Sequence, residues 1–499
     1  MREAMDLQAS HKTGTPKRPA GIRLGIVRGI SYGMFGEPDS FVPESRKLGG
    51  ALVRVYVYWG QVEPEPGRFD WTVVDALLDQ LDPAAETWVT VCSSSPWATR
   101  QPTGFLPSSP AKNLDQYGRF VRELVNRCQG RVEYWQCNNE PSNTGLLWAG
   151  TAAEYVEQLT VFHQAVRAGD PAAAVVLGGC GYDVLASEDD SAAREFFDHV
   201  LDHGQDAFDL FSVHLYGDPH AIPDQVAQVR AMMRRHGYER PVVAGEYNGP
   251  TLFEFPEAQQ ALEQTMMAAF ATDSADTHSA AACEEEAAEP PDRRTMRALY
   301  AQAPQLPPQL QMFLEDCPPE LAAKRDRINQ RQIVTRNILA LAEGLTRTAC
   351  WNLAPEIPDY SDRFNLMGFL FGKLALMDYE GRQLTRHRPA AHTFALLADH
   401  LHGATAVHRL DAGHGHDGQP VFAFEVQREG HDPVHVLWTG GHVFTGEDQP
   451  PTPVHWPWPH PTAHAVDAYG ARQRIECDGT TAHLTLSVTP LFVSTTPHS

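Results

Sequence analysis

Eight short apolar runs recur between residues 22 and 353, and stretches of helical period fill most of the gaps between them. The runs read IRLGIVRGI, ALVRVYVYW, TWVTVCSSSPW, VEYWQCNNE, AVVLGGCGYD, FDLFSVHLY, PVVAGEY and RTACWNL. Each is long enough for one strand. In 71–81, Val74, Leu77, Leu78 and Leu81 fall at i, i+3, i+4, i+7, and Asp70 is a candidate cap. In 113–128 one face carries Tyr117, Phe120, Val121, Leu124, Val125 and Cys128. Thr151-Ala-Ala-Glu154 is a capping box opening a helix through Tyr155, Leu159, Phe162 and Val166. Eight strands alternating with helices predict an α/β fold, a (β/α)8 TIM barrel with insertions. An open doubly wound sheet is the runner-up. That fold announces its ligand with a glycine-rich first turn, and GIVRGISYG is not G-x-G-x-x-G.

The barrel is expected over 22–403, behind a polar tail at 1–21. The long gap before the eighth run holds an insertion at about 251–330, a loop or a set of helices with a charge run at Glu284–Glu286. It has the length to wall off part of a site or to form a contact between copies of the chain, which makes a homo-oligomer an option. After the helical PAAHTFALLADHLHG the pattern turns to alternation, as in VHVLWTG and AHLTLSVTPLFVST, where Leu484, Leu486 and Val488 share one face. A separate antiparallel, sandwich-like β domain is expected over 404–499.

Charge and cysteine usage exclude several classes. Sixty-three acidic residues against 40 basic give a net charge of −23, a poor surface for a phosphate backbone, so no nucleic acid is expected. No apolar run reaches the roughly 18–20 residues of a membrane span. The first residues, MREAMDLQASHKTGTPKRPAG, lack the apolar stretch of a secretory leader. The eight cysteines are scattered without a C-x-x-C pair, and Cys92, Cys180 and Cys350 lie inside strand-like runs. They read as buried thiols in a reducing compartment, and the expected location is cytoplasmic.

In a barrel of this kind functional residues gather where the strands end. The fourth run ends in Asn138, Asn139 and Glu140, the sixth in His214 and Tyr216, the seventh in Glu246, and the eighth in Trp351 and Asn352. Alternation sets Val53, Val55 and Val57 against Arg54, Tyr56 and Tyr58, and Phe211, Val213 and Leu215 against Ser212, His214 and Tyr216. The apolar sets suit the barrel–helix layer, so the polar sets converge inside the barrel near its mouth. Buried charge must be paired. Arg54 and the amides are expected to hold one glutamate ionised, while the other, beside that negative charge, keeps a proton. Two carboxyls with pKa values pushed apart make an acid and a nucleophile, the pair that cleaves glycosidic bonds. Pro141 predicts an extended Glu140 at the strand end, and Gly245 clears bulk beside Glu246. No group has metal-ligand spacing, and no metal or cofactor is expected.

The combination of NNEP after the fourth strand, HLY after the sixth and GEYN after the seventh resembles the clan A retaining glycoside hydrolases, as does VRVYVYWGQVEPEPGRFDW around the second. The likeness covers roughly 22–403, and both the β-xylosidase/α-iduronidase branch and the cellulase-like branch remain open. It implies a (β/α)8 barrel and a carbohydrate substrate cleaved by double displacement through a covalent glycosyl-enzyme. It also implies roles: Glu140 the acid/base, Glu246 the nucleophile, and Asn139 a hydrogen bond to the sugar 2-hydroxyl. Tyr216 would hydrogen-bond Glu246, Arg54 would keep Glu246 ionised, His214 would line the reacting subsite and Trp351 would floor it. Trp59, Trp97 and Trp148 either frame further subsites or pack in the core. Asn138 reads as structural. The competing functions are a non-catalytic carbohydrate-binding barrel and a transglycosylase using the same two glutamates.

Overall fold

The computed structural model describes residues 21–187, 190–276, 290–356, 363–381, 383–414 and 418–497. Eight parallel strands close into a barrel: β1 (Arg23–Val27), β2 (Leu52–Tyr58), β3 (Glu86–Cys92), β4 (Tyr134–Cys137), β5 (Ala174–Cys180), β6 (Leu210–Leu215), β7 (Val242–Tyr247) and β8 (Arg347–Trp351). The ring shuts where β1 lies along β8, Arg23 opposite Arg347 and Val27 opposite Trp351. All eight predicted runs are strands of this barrel.

The two faces of each strand divide as the alternation requires. Val53, Val55 and Val57 of β2 join the outer core under the helices, with Phe211, Val213 and Leu215 of β6. Tyr56, Tyr58 and Trp88 point inward and pack with Leu52, Tyr134 and Val176. Such a wholly buried parallel sheet suits the β-branched runs that form it. The helices start where their caps sit. Asn113 accepts from the Gln116 amide to open Leu114–Arg127, and Thr151 and Glu154 form a reciprocal box before Ala152–Gly169. Asp70 accepts from the Thr72 amide at 3.0 Å, and the helix there runs Thr72–Leu78.

The insertion is helical, with Pro256–Asp276, Pro291–Ala301, Pro308–Gln311 and Pro319–Ala342. It has a small core of its own in which Leu252, Phe255, Met296, Leu299, Phe313 and Ile328 take part. The last helix straddles the expected boundary at 330. Ile328 serves the insertion core, whereas Ile333, Val334 and Ile338 serve the barrel. The tail at 1–20, the Glu284–Glu286 run and Cys283 lie outside the described residues.

A hairpin, Met377–Glu380 with Gln383–His387, follows β8 and was not expected from sequence. From residue 404 the chain forms a six-stranded and a three-stranded antiparallel sheet. Leu437, Trp456, Leu484 and Leu486 pack between them. The other face of the larger sheet does not stand apart from the barrel: Val407, Phe424, Val426, Val436 and Phe492 enter the same core as the barrel helices. Glu447 reinforces the contact by accepting from Arg327 and Arg331 of the long helix. Among the described residues no helix is long and apolar enough to cross a membrane, and the seven described cysteines are free.

Candidate active site

The site is built around one fully buried guanidinium. Arg54, inward-facing on β2, uses all five of its N–H groups. Nε donates to Thr90 Oγ1 at 3.1 Å. Nη1 donates to the Gly245 carbonyl at 2.7 Å and to Glu246 Oε1 at 2.8 Å. Nη2 donates to Tyr56 Oη at 3.0 Å and Asn139 Oδ1 at 2.8 Å. The faces of Tyr56 and Trp88 lie about the cation, their centroids 5.0 and 5.1 Å from its central carbon. One charge thus ties the ends of β3, β4 and β7 to β2.

Glu246, 4% exposed near the end of β7, receives two further donors. Tyr56 Oη donates to Oε1 at 2.7 Å and Tyr216 Oη donates to Oε2 at 2.9 Å. Burial pushes its carboxyl up, but His214, Arg54 and the two tyrosines outweigh that, and the net displacement is downward. Glu140 goes the other way. Burial raises it, and the neighbouring carboxylates Glu246 and Asp183 add to the rise against the opposing pull of His214. His214 Nδ1 is 2.6 Å from Glu140 Oε1 and 3.5 Å from Glu246 Oε2. One carboxylate oxygen from each glutamate and a His214 nitrogen all lie within 4.8 Å of one another.

Two residues differ from their sequence-based expectations in conformation or environment. Glu140 is not extended: its φ is +41°, and Asn138 two residues earlier has φ +56°. Left-handed backbone at two such residues costs on the order of 1–3 kcal/mol each. The surroundings hold it in place. Asn138 Oδ1 accepts from the Ser93 amide at 2.8 Å, Gln136 Nε2 donates to the Asn138 carbonyl at 2.7 Å, and the Glu140 carbonyl accepts from the Asn143 amide at 3.0 Å. The segment after β4 is therefore a tight turn that aims Glu140 sideways across the barrel mouth, and the restriction that Pro141 imposes on its neighbour is overridden. His214 is wholly buried between the two acids, so it touches the carboxyls and does not line an open subsite.

The tryptophans separate. Trp351 at the end of β8 is half-buried and meets Tyr56 edge to face at 6.2 Å. Trp59 and Trp148 are fully buried on the outer side of the sheet. Trp59 stacks on Phe120 and donates to Glu63, and Trp148 packs edge-on against Tyr155. Neither can frame a subsite. Trp97 is half-buried against Trp59 and belongs to the same outer cluster.

Sequence reasoning assigned no role to Tyr56, nor to the glycines around the end of β5. A Cβ at Gly179 would fall 2.1 Å from His214 Nε2, and one at Gly181 would fall 2.9 Å from Glu140 Oε1. The fifth run carries its signal in GGCG, three glycines in four residues where the neighbouring strands carry side chains.

Glu140, His214 and Glu246 are also the one group of described residues with donors close enough to share a cation. The 2.6 Å approach of His214 to Glu140 is a hydrogen bond. It is shorter than the roughly 3.3 Å edge between two ligands about 2.0–2.1 Å from a tetrahedral ion. The site suits a shared proton better than a metal.

Arg54→Met should show how much Glu246 depends on its counter-ion. Removing one partner of a buried pair costs about 3–5 kcal/mol. The Glu246 carboxyl is depressed in the fold, so the stability it contributes is present above its unfolded pKa and is lost as pH falls through the folded one. The gap between parent and variant in urea unfolding should therefore be widest near neutrality and narrow on acidification. A gap independent of pH would mean that Arg54 acts through packing alone.

No family profile and no curated protein matches the chain. Solved structures do. A family 39 glycoside hydrolase from the gut symbiont Bacteroides cellulosilyticus aligns at TM-score 0.58 and 13% identity, over 95% of this chain and 81% of that one. A glucosidase from Croceicoccus marinus aligns at TM-score 0.54 and 15% identity, over 96% and 97%. A monomeric β-xylosidase from Caulobacter crescentus aligns at TM-score 0.54 and 14% identity, over 96% and 97%. At these identities the likeness is one of fold, and it extends over nearly the whole of this chain, its closed barrel of eight parallel strands and the antiparallel sheets that follow.

Proposed function

We propose that the protein is a retaining glycoside hydrolase that cleaves O-glycosidic bonds by double displacement. The observation that carries this is the meeting of two carboxyls of opposite proton affinity within 4.8 Å at the mouth of the barrel. Retaining enzymes hold their carboxyls about 5–5.5 Å apart, whereas inverting ones leave about 6.5–9.5 Å for a water. The close approach favours the first arrangement.

Glu246, ionised by Arg54, Tyr56 and Tyr216, attacks the anomeric carbon. Glu140 gives its proton to the departing oxygen. The Glu140 carboxylate then takes a proton from water, which attacks the same carbon and releases the sugar from Glu246. Asn139 spends its carbonyl oxygen on Arg54, which leaves its Nδ2 donor for the sugar 2-hydroxyl. Trp351 offers a flat face for the apolar side of the ring. Catalysis would reside in 22–403, and the sheets from 404 onward would brace the barrel from outside.

The test is a panel of aryl glucosides, xylosides, mannosides, galactosides and arabinosides, followed by proton NMR of the first-formed sugar. The expected product keeps the anomeric configuration of the substrate. Release of the opposite anomer would replace double displacement with direct attack by water. Binding without turnover across the panel would point to a non-catalytic carbohydrate-binding barrel, and accumulation of transfer products to a transglycosylase.

A further inference from the structure

A third carboxyl faces Glu140. Asp183 lies in the short helix Tyr182–Leu185 that follows β5. Its Oδ2 accepts from Ser142 Oγ at 2.8 Å, and Ser142 stands two residues beyond Glu140 in the same turn. Gly181 lies between the two acids. A Cβ there would be 2.6 Å from Asp183 Oδ1 and 2.9 Å from Glu140 Oε1, so both carboxyls converge on one bare stretch of backbone. A side chain at 181 would force at least one of the two carboxyls to shift.

The other groups around this pair come from three sides. His214 on β6 and Glu246 on β7 both face Glu140, and the buried hydroxyl of Tyr216 lies near both glutamates. Cys180, buried at the end of β5, lies near Asp183, with Arg194 of the helix Ala192–His203 behind it. Among the described residues the side-chain hydrogen-bond partner of Asp183 is the Ser142 hydroxyl rather than a lysine or arginine. Burial raises the Asp183 carboxyl, and the Ser142 hydroxyl, the Val184 amide and the pull of His214 oppose that rise without cancelling it. In its ionised form it acts on Glu140 in the same sense as Glu246 does, against the pull of His214.

We propose that Asp183 is a positioning residue for the acid: its carboxylate, held beside Glu140 across Gly181, keeps the proton on Glu140 until the leaving group takes it. This rests on Glu140 acting as the acid of a glycosidase. The two carboxylates that face Glu140 differ in one respect. The charge on Glu246 vanishes when that residue becomes the ester of the glycosyl-enzyme, whereas the charge on Asp183 persists through both steps. Asp183 thus sets a floor beneath the proton affinity of Glu140, and Glu246 adds to it only in the free enzyme.

The test reads Glu140 directly and needs no turnover. The full-length protein is labelled with glutamate enriched in 13C at the side-chain carboxyl, and the Glu140 resonance is assigned by its loss in Glu140→Gln. In Asp183→Asn, which preserves shape and the Ser142 contact, the Glu140 midpoint should fall by about one pH unit, as expected when a like charge at this range is removed. Ser142→Ala, which withdraws one hydrogen bond from the Asp183 carboxylate, should move it the same way by less. An unchanged midpoint in the folded variants overturns the proposal. In the aryl glycoside assay the basic limb of kcat/KM should move down with the resonance. If no glycoside is turned over, the hydrolase reading fails while the titration still decides the role of Asp183.

Discussion

Replacing Glu246 by alanine is expected to lower kcat by on the order of 10⁵-fold on every glycoside the parent cleaves, the scale of loss when a catalytic nucleophile is removed. Added azide should restore part of the rate. In the space left by the side chain azide would attack the anomeric carbon from the side Glu246 occupied, so the product should be a glycosyl azide of inverted configuration. The site explains why loss of activity alone would be ambiguous. Arg54 directs one of its five donors at Glu246, and in the alanine variant that donor and the charge behind it are left buried beside an empty corner. Glu246→Gln keeps an acceptor for Arg54 and Tyr56 and should hold the thermal midpoint nearer the parent while remaining as inactive. Full activity in either variant would remove Glu246 from the reaction, whereas inactivity with a collapsed midpoint and no azide product would show only that the pair holds the barrel together.

Much of this site could be read from the chain because strand alternation has a fixed period. Once Val53, Val55 and Val57 are assigned to the helix layer, Arg54 and Tyr56 must point inward, and the same logic turns His214 and Tyr216 toward Glu246. What escaped depends on properties that a linear pattern does not carry. The left-handed turn at Glu140 comes from hydrogen bonds to Ser93, 45 residues before Asn138, and a rule about the residue before a proline sees only its neighbour. Trp59 and Trp148 follow strand ends, as Trp351 does, but the chain bends outward at both and buries them against Phe120 and Tyr155. Tyr56 looked like one more inward aromatic because its partner, Glu246, is 190 residues away. The glycines around the end of β5 stand out as GGCG, but the side chains that fill the space they leave, those of His214 and Glu140, come from elsewhere in the chain. The hairpin Met377–Glu380 with Gln383–His387 is short and mostly exposed on its second strand, so it presents no apolar run to find.

Glu140 should give a different pattern of loss, and that difference separates an acid from a nucleophile. In Glu140→Ala, substrates whose leaving group is a sugar should lose about 10²–10⁴-fold in kcat/KM, the usual contribution of general acid–base assistance. A dinitrophenyl glycoside, whose leaving oxygen needs no proton, should form the glycosyl-enzyme at close to the parental rate and then stall, because no base remains to activate water. Azide, which needs no base, should release the stalled intermediate as a glycosyl azide of retained configuration, the opposite of the product expected from Glu246→Ala. Stability offers an independent sign. The Glu140 carboxyl is raised in the fold, so its contribution is fully present below the unfolded pKa and is lost as pH rises through the folded one. Glu140→Gln, which cannot ionise, should therefore gain stability relative to the parent as pH climbs from about 4.5 toward neutrality, the region above the ordinary carboxyl value. A variant that slowed all leaving groups equally and showed no such pH-dependent gain would place the acid elsewhere. The expected combination, leaving-group dependence together with relief of a buried charge, is what a carboxyl kept protonated by burial, with Glu246 and Asp183 adding to it, must produce.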